Sequence, residues 1–167
     1  YEANNASLKS NELLLMDVGA DYEYYAADIT RTVSVGKRTD RQKAVYDAVL
    51  HVQQTMMKKF VPGANRREIE DEPESMIGQE LKQLKLITTM NRSAIRHYYP
   101  HAIGHFLGLD PHDLGDYTEP LQPGMVMTVE PGIYIPEENI GVRIEDDILI
   151  TTDGYENLSK NIPMYAE

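Results

Sequence analysis

The sequence predicts a single α+β domain, because strand-forming segments stand at both ends of the chain and helical segments lie between them. Residues 13–18 and 22–35 are rich in apolar, aromatic and β-branched side chains, which favour strands. The middle of the chain repeats apolar residues at helical spacing, and the region from Tyr98 onward again alternates strand-like runs with turn signals. A chain of 167 residues is long enough for one domain with its own core. The order of strands, helices and strands is typical of an α+β fold.

The first two strands are predicted to form a hairpin, with Gly19-Ala20-Asp21 as the turn and Gly36 closing the second strand. Asp40 is expected to cap a helix over residues 41–60. The apolar stripe of that helix comprises Val45, Val49, Val52, Met56 and Phe60. Pro62-Gly63 ends it.

A second helix is predicted over residues 66–86, and Pro73 within it is expected to kink it or to split off its first turn. The side chains expected to face inward are Ile69, Ile77, Leu81 and Leu84. The remaining candidate strands span residues 101–106, 126–130, 132–135, 142–144 and 146–151.

Composition excludes several classes of protein. The net charge of -11 argues against a nucleic-acid or anionic-membrane partner, either of which would need a basic face. No apolar run approaches the ~20 residues that span a bilayer. The chain has no cysteine, which excludes disulfides and thiolate metal sites. No signal peptide is visible, so we expect a cytoplasmic protein.

Two aspartates lie within strand-like segments, where aspartate is an unfavourable residue. Asp17 ends the apolar first strand, and Asp28 lies eleven residues later in the partner strand. A short hairpin can place both carboxylates side by side on one face, where they would repel each other unless a cation lies between them. A turn-capping Asp17 and an exposed Asp28 would explain the same pattern without a site.

Four of the five histidines fall within residues 97–112, interleaved with glycines. A lone histidine is usually structural, but a cluster of this density favours a functional site. No Glu follows the first His of a pair in the HExxH manner, so the helical zinc-protease pattern is absent.

Further acids end or interrupt later strands. Glu130 ends an apolar strand before Pro131-Gly132, and Glu145, Asp146 and Asp147 sit in the middle of strand-like sequence. Alternation would place Arg143, Glu145 and Asp147 on one face. A solvated edge strand is the structural alternative, but such local conflicts are typical of functional sites. Several carboxylates with an imidazole suit hard or borderline divalent cations.

These residues resemble the ligand pattern of the pita-bread metallopeptidases in order. The motifs are Leu-Met-Asp-Val-Gly at 15–19, Ala-Asp-Ile-Thr-Arg-Thr at 27–32, Gly-His-Phe-Leu-Gly at 104–108, Val-Glu-Pro-Gly at 129–132 and Arg-Ile-Glu-Asp-Asp at 143–147. The Gly-Leu-Asp-Pro-His-Asp stretch at 108–113 resembles aminopeptidase P and prolidase more than methionine aminopeptidase. The resemblance therefore implies the pita-bread (creatinase/aminopeptidase-like) fold and a proline-specific aminopeptidase.

The resemblance implies two divalent metal ions, with Mn²⁺ favoured over Zn²⁺ or Co²⁺. Asp28 and Glu145 would bridge the ions, Asp17 would complete one shell, and His105 and Glu130 would complete the other. Four carboxylates offset the four positive charges of two such ions. If the metals are lost, like-charge repulsion should raise the pKa of at least one carboxylate.

The resemblance also implies a mechanism in which a hydroxide between the metals attacks the carbonyl of the residue before proline. His101 and His112 match substrate-side histidines, Glu130 the residue that passes a proton to the leaving nitrogen, Arg143 an arginine near the ligands, and Tyr134 an active-site tyrosine. A salt bridge beside the ligands would explain Arg143 equally well. The expected partners are peptides with proline at the second position, and a homo-oligomer is left open.

Family members carry a histidine immediately before the Tyr-x-x-x-Asn pattern that matches residues 1–5. We therefore expect residues 1–167 to be part of a catalytic domain, without an N-terminal domain or the first part of the catalytic domain, and weak or inactive alone. One alternative is a prolidase acting on Xaa-Pro dipeptides. The other is a non-catalytic pita-bread module that binds peptides or proteins, which would tend to lose ligand residues.

Overall fold

The two N-terminal strands pair as predicted, but residues 19–28 connect them instead of the predicted turn at residues 19–21, and the second strand begins later than expected. In the computed structural model, which describes Asn5 and residues 7–164, strand β1 (Leu13–Val18) pairs antiparallel with β4 (Ile29–Ser34). The two-residue strands β2 (Asp21–Tyr22) and β3 (Tyr25–Ala26) form a small hairpin between them. Asp28 therefore precedes β4 instead of lying within it. Residues 1–4 of the Tyr-x-x-x-Asn pattern lie outside the described residues.

Helix α1 (Asp40–Met57) is capped by Thr39, so the prediction that Asp40 is the cap was wrong. The Thr39 hydroxyl accepts from the Gln42 N–H, and the Gln42 side chain accepts from the Thr39 N–H, which satisfies two of the free donors at the helix start. Asp40 is instead the first helical residue, where its charge suits the helix dipole. The predicted stripe of Val45, Val49, Val52, Met56 and Phe60 is fully buried.

Helix α2 (Arg66–Gln83) runs through Pro73 as one element, so the expected split did not occur. Proline removes one backbone hydrogen bond, and the buried side chains of Ile69, Ile77 and Leu81 hold the helix on the core on both sides of it. Leu84 caps the helix and is half-buried. The short helix α3 (Arg92–Tyr98), capped by Asn91, was not predicted.

The C-terminal half supplies two further sheets. Strands β5 (Val126–Val129), β8 (Asp146–Ile150) and β9 (Tyr155–Asn157) form an antiparallel sheet in the order β5-β8-β9. Strands β6 (Gly132–Ile135) and β7 (Ile140–Arg143) form a hairpin closed by the 3₁₀ turn Pro136–Glu138. Ile144 and Glu145 belong to no regular strand. The predicted strand over residues 142–144 is therefore displaced toward the N-terminus, and β9 was not predicted.

The predicted strand over residues 101–106 is wrong. Only Phe106 forms a bridge, with Met127 of β5. Three backbone hydrogen bonds still hold the segment beside β5, from Leu107 to Val126, from Thr128 to His105 and from Glu130 to Ile103. The ladder fails because the His105 N–H donates 3.0 Å to the Thr128 hydroxyl instead of to a carbonyl. This irregular segment carries the histidines of the site.

Candidate metal centre

Six side chains converge on one small volume, and five of them are the ligands predicted from the sequence. The groups close enough to hold an ion are Asp17, Asp28 and Glu145; His105, Glu130 and Glu145; and Asp28, His105 and His112. In each group the donor atoms all lie within 4.8 Å of one another. The ligands come from three separate regions of the chain, and the groups overlap through Glu145, Asp28 and His105.

The N-terminal hairpin brings Asp17 and Asp28 together. The register aligns Asp17 with Thr30, so Asp28 lies two residues before the partner of Asp17. The Asp28 N–H donates to Asp147 Oδ2 at 3.2 Å, which ties this corner to β8. The side chains of Asp17 and Asp28 are 35% and 16% exposed, so neither is a freely solvated surface group.

His105 is held in one ring orientation. Its Nδ1 lies 3.0 Å from the Phe106 carbonyl, which can only accept, so Nδ1 carries the proton and Nε2 faces the acids. Nε2 lies 3.5 Å from both Asp28 Oδ2 and Glu130 Oε1. The ring stacks on His112 with 3.9 Å between centroids and 13° between planes. An Nε2 that faces the carboxylates, with the ring held at Nδ1, is what a metal-binding imidazole needs.

Glu145 is the most deeply buried of the acids, with 2% of its side chain exposed. The Thr30 hydroxyl donates to Glu145 Oε2 at 2.5 Å, and the Glu145 N–H donates to the Thr30 carbonyl at 3.1 Å. Its neighbours Asp146 and Asp147 are also buried, which contradicts the solvated-edge alternative for this stretch. Asp147 faces Asp28, whereas Asp146 faces away from the site toward Arg31.

Arg143 lies among three of the carboxylates. Its Nη2 forms an ion pair with Asp17, and its Nε lies 3.9 Å from Glu145 Oε2 and 4.0 Å from Glu130 Oε2. The Thr30 hydroxyl accepts from the same Nε at 3.0 Å. One guanidinium thus faces more negative charge than it can neutralise.

His101 and Tyr134 form a hydrogen-bonded chain beside the acids. Arg143 Nη1 donates to the Tyr134 hydroxyl at 3.3 Å, and that hydroxyl lies 2.8 Å from His101 Nε2. His101 Nδ1 lies 2.8 Å from the Ala102 carbonyl and therefore carries the proton. Burial and the nearby Arg143 charge lower the pKa of His101, so the ring is neutral. His97 lies elsewhere, exposed beside Glu137.

The pKa values reflect a surplus of buried negative charge. Burial first, and the Glu130 charge second, raise the pKa of Glu145 to about 9. Burial also raises the pKa of Glu130 to about 7, against the lowering effect of His105 and Arg143. The sequence argument expected repulsion to cause such a shift, but desolvation is the larger cause. Carboxylates that cannot all ionise without a cation match the donor chemistry of a divalent-metal site.

A cavity of about 740 Å³ opens onto the cluster. Asp17, Asp28, His105, Glu130 and Glu145 share its wall with His101, His112, Tyr134 and Arg143. All of the residues predicted for the site therefore line one cavity. Sequence reasoning missed Thr30 and Thr128, which orient the predicted residues, and it placed Asp147 on one face with Glu145 without giving it a role. Thr30 lies inside the 27–32 motif. Its place opposite Asp17 in the predicted hairpin could have identified it as a neighbour of the site.

The pita-bread fold and this carboxylate-rich cluster define a metallopeptidase type of protein. The chain belongs to metallopeptidase family M24, which it matches over residues 1–152. It is 43% identical to Xaa-Pro aminopeptidase 3 of Mus musculus over 178 aligned positions, covering 98% of this chain and 35% of that protein.

Two solved structures extend the likeness to three dimensions. A putative aminopeptidase P from Bacillus anthracis superposes with a TM-score of 0.93 at 42% identity, over 98% of this chain and 39% of that one. Aminopeptidase P from E. coli with the inhibitor Pro-Leu superposes with a TM-score of 0.91 at 38% identity, over 98% and 41%. The chain thus spans about two fifths or less of the length of these relatives. Among the described residues, no helix is both long and apolar enough to cross a bilayer.

Proposed function

We propose that this chain forms the dinuclear metal centre of an Xaa-Pro aminopeptidase, an enzyme that releases the N-terminal residue of a peptide whose second residue is proline. The observation that carries the proposal is the convergence of Asp17, Asp28, His105, Glu130 and Glu145 on one cavity wall. Family membership and the names of the relatives support the same reaction.

The overlap between the ligand groups supports two ions instead of one. Glu145 belongs both to the group with Asp17 and Asp28 and to the group with His105 and Glu130, as a bridging carboxylate would. Asp28 likewise joins Asp17 on one side and His105 on the other. Carboxylate oxygens outnumber the single predicted imidazole ligand, which favours Mn²⁺ over Zn²⁺ or Co²⁺.

Divalent ions held by these residues would supply a water acidified toward a pKa of ~7 and a Lewis acid for the scissile carbonyl. The protein residues then handle the proton and the substrate. Glu130 accepts the proton of the attacking water on a carboxylate oxygen and returns it to the proline nitrogen as the C–N bond breaks. Its half-buried position beside the Thr128 hydroxyl, 3.5 Å away, keeps it directed at the cluster.

His101, His112 and Tyr134 form the substrate side of the proposed site. In the observed arrangement His101 Nδ1 donates to the Ala102 carbonyl and Nε2 accepts from the Tyr134 hydroxyl, so a substrate N–H could replace Tyr134 at Nε2, whereas a substrate carbonyl could bond there only after Nε2 gains a proton. His112 is exposed and stacked on His105, which places it at the cavity mouth. Arg143 orients both Tyr134 and Asp17.

The test is metal analysis joined to a peptide assay. The chain, purified and supplied with Mn²⁺, is expected to bind two ions, and its full-length parent is expected to cleave an Xaa-Pro-Xaa peptide but not its Xaa-Ala-Xaa counterpart. Since the relatives carry much further sequence, we expect slow turnover from this chain alone. Cleavage of only an Xaa-Pro dipeptide would favour the prolidase alternative. A protein without stoichiometric metal would be a binding module, and the proposal would fail.

A further inference from the structure

A buried polar network lies behind Glu145, on the side away from the cavity. At its centre is Arg31 of β4, whose side chain is 8% exposed. Its guanidinium uses all five N–H donors. They point to the carbonyls of Thr30 (2.9 Å), Glu145 (2.6 Å), Ile162 (3.4 Å) and Pro163 (3.1 Å) and to the Asp146 carboxylate (2.7 Å).

Asp146 is held from a second direction by helix α1. Gln53, which is fully buried, donates from Nε2 to Asp146 Oδ2 at 2.6 Å, while Arg31 occupies Oδ1. The network thus joins α1, β4, the start of β8 and residues 162–163. None of these three side chains lines the 740 Å³ cavity, so none of them contacts a substrate there.

Glu145 needs such support because it lies between strands. Residues 144 and 145 belong to neither β7 nor β8, so strand pairing does not fix this residue. Consecutive residues of β4 fix it instead: Thr30 bonds its N–H and its carboxylate, and Arg31 bonds its carbonyl. The main chain on both sides of the carboxylate is therefore anchored to β4, the strand that follows Asp28.

We infer that Arg31, supported by Asp146 and Gln53, is a positioning residue that sets the Glu145 carboxylate opposite Asp28 for metal binding. The inference rests on the proposed dinuclear centre. It assigns to Arg31 a role that a point charge could not perform, because a lysine could pair with Asp146 but could not reach four carbonyls in one plane.

A purely stabilising role is a poor explanation for this network. A buried ion pair loses about as much to desolvation as it gains from attraction, and well-packed apolar residues often replace one without loss of stability. What the network provides is a fixed position for the segment that carries Glu145. Its bonds join residues 145–146 to helix α1, to the Thr30 carbonyl of β4 and to the carbonyls of residues 162 and 163.

The test is Mn²⁺ titration by calorimetry of the metal-free chain and of Arg31→Lys. Loss of hydrogen-bond partners behind a ligand costs about 10 to 100-fold in metal affinity, and we expect a fall of that size for Arg31→Lys. Arg41→Lys is the matched control, because Arg41 forms an exposed pair with Glu138 and does not contact Glu145. It should leave metal affinity unchanged.

Unfolding of both proteins in EDTA separates positioning from stability. If Arg31→Lys lowers only the unfolding midpoint and its folded fraction binds Mn²⁺ as wild type does, the inference is wrong. If Arg31→Lys does not fold, Gln53→Met replaces it, since it leaves Arg31 in place and removes the donor to Asp146 together with a long contact to the Met57 sulfur. That variant should weaken Mn²⁺ binding severalfold, and unchanged binding would again overturn the inference. Failure of the wild-type chain itself to bind two ions would count against the proposed function instead.

Discussion

Replacing Glu145 by glutamine should have opposite effects on the stability of the metal-free protein and on metal binding. Glutamine keeps the shape of the side chain and can still accept the hydrogen bond from the Thr30 hydroxyl. It removes a charge that burial and Glu130 make unfavourable. In the metal-free protein the variant should therefore be the more stable of the two.

The size of this effect follows from the pKa of Glu145, which is raised from its ordinary 4.5 to about 9. As the pH rises above 4.5 the unfolded chain loses the proton first, so the folded state loses about 1.4 kcal/mol per pH unit until the pH reaches the folded pKa. At pH 7 the penalty is about 3 kcal/mol, which Glu145→Gln removes. The stability that the Glu145 carboxyl contributes below pH 4.5 is thus lost between about pH 5 and 9, and the variant should lack this part of the pH dependence.

Urea unfolding in EDTA at pH 5, 7 and 8.5, followed by tyrosine fluorescence, measures the difference; the chain has 11 tyrosines and no tryptophan. The control is Glu138→Gln, because its ion pair with Arg41 lowers the pKa of Glu138 and its loss should destabilise by about 1 kcal/mol or less. Mn²⁺ binding should also weaken in Glu145→Gln. The loss of affinity should exceed the about 10 to 100-fold that is typical when a residue behind a ligand is changed, because Glu145 is itself a proposed ligand. A Glu145→Gln variant that is less stable than wild type at pH 8.5 in EDTA would refute the reasoning.

Three further changes test other parts of the site. His105→Ala should abolish binding of one Mn²⁺ ion by calorimetry, whereas His97→Ala, at an exposed histidine, should not; equal stoichiometry would exclude His105 as a ligand. Gly104→Ala should destabilise by about 1 to 3 kcal/mol in urea, because its Cβ would overlap the Thr128 carbonyl, while Gly154→Ala meets nothing and should be neutral. Tyr134→Phe should leave Mn²⁺ affinity intact and lower turnover by the parent about tenfold, the value of one hydrogen bond; unchanged turnover would remove Tyr134 from the mechanism.

The fold class could be predicted because its elements left local signals, and the convergence of the acids was implied by the resemblance of their motifs to the family. The stripe of α1 repeats at helical spacing, and Asp17, Asp28 and Glu145 interrupt strand-like sequence where a carboxylate is otherwise unfavourable. The partners that orient these acids could not be predicted in the same way. Thr30, Arg31 and Gln53 look like ordinary strand and helix residues until the packing of α1 and β4 against residues 145–146 is known.

Two of the errors in element prediction share a cause, which is tertiary packing that overrides local preference. Pro73 is tolerated within α2 because buried residues on both sides hold the helix on the core. The segment over residues 101–106 has strand-like composition, yet the Thr128 hydroxyl takes the His105 N–H and breaks the ladder. The failed prediction thus falls on the segment that carries His105, at the functional site.

The same surplus of charge connects stability and function in this chain. The cluster holds four carboxylates, Arg143 lies beside three of them, and the pKa values of Glu145 and Glu130 rise because these groups cannot all ionise in a buried site. A protein without a use for this arrangement would gain stability by losing Glu145 or Glu130, whose pKa values are raised. Thr30 and Arg31 instead hydrogen-bond to Glu145 and hold its carboxylate in a buried position, where its charge is unfavourable. Bound divalent cations would make the charge of the buried carboxylates favourable instead of unfavourable. Metal binding should therefore stabilise the folded state of this domain.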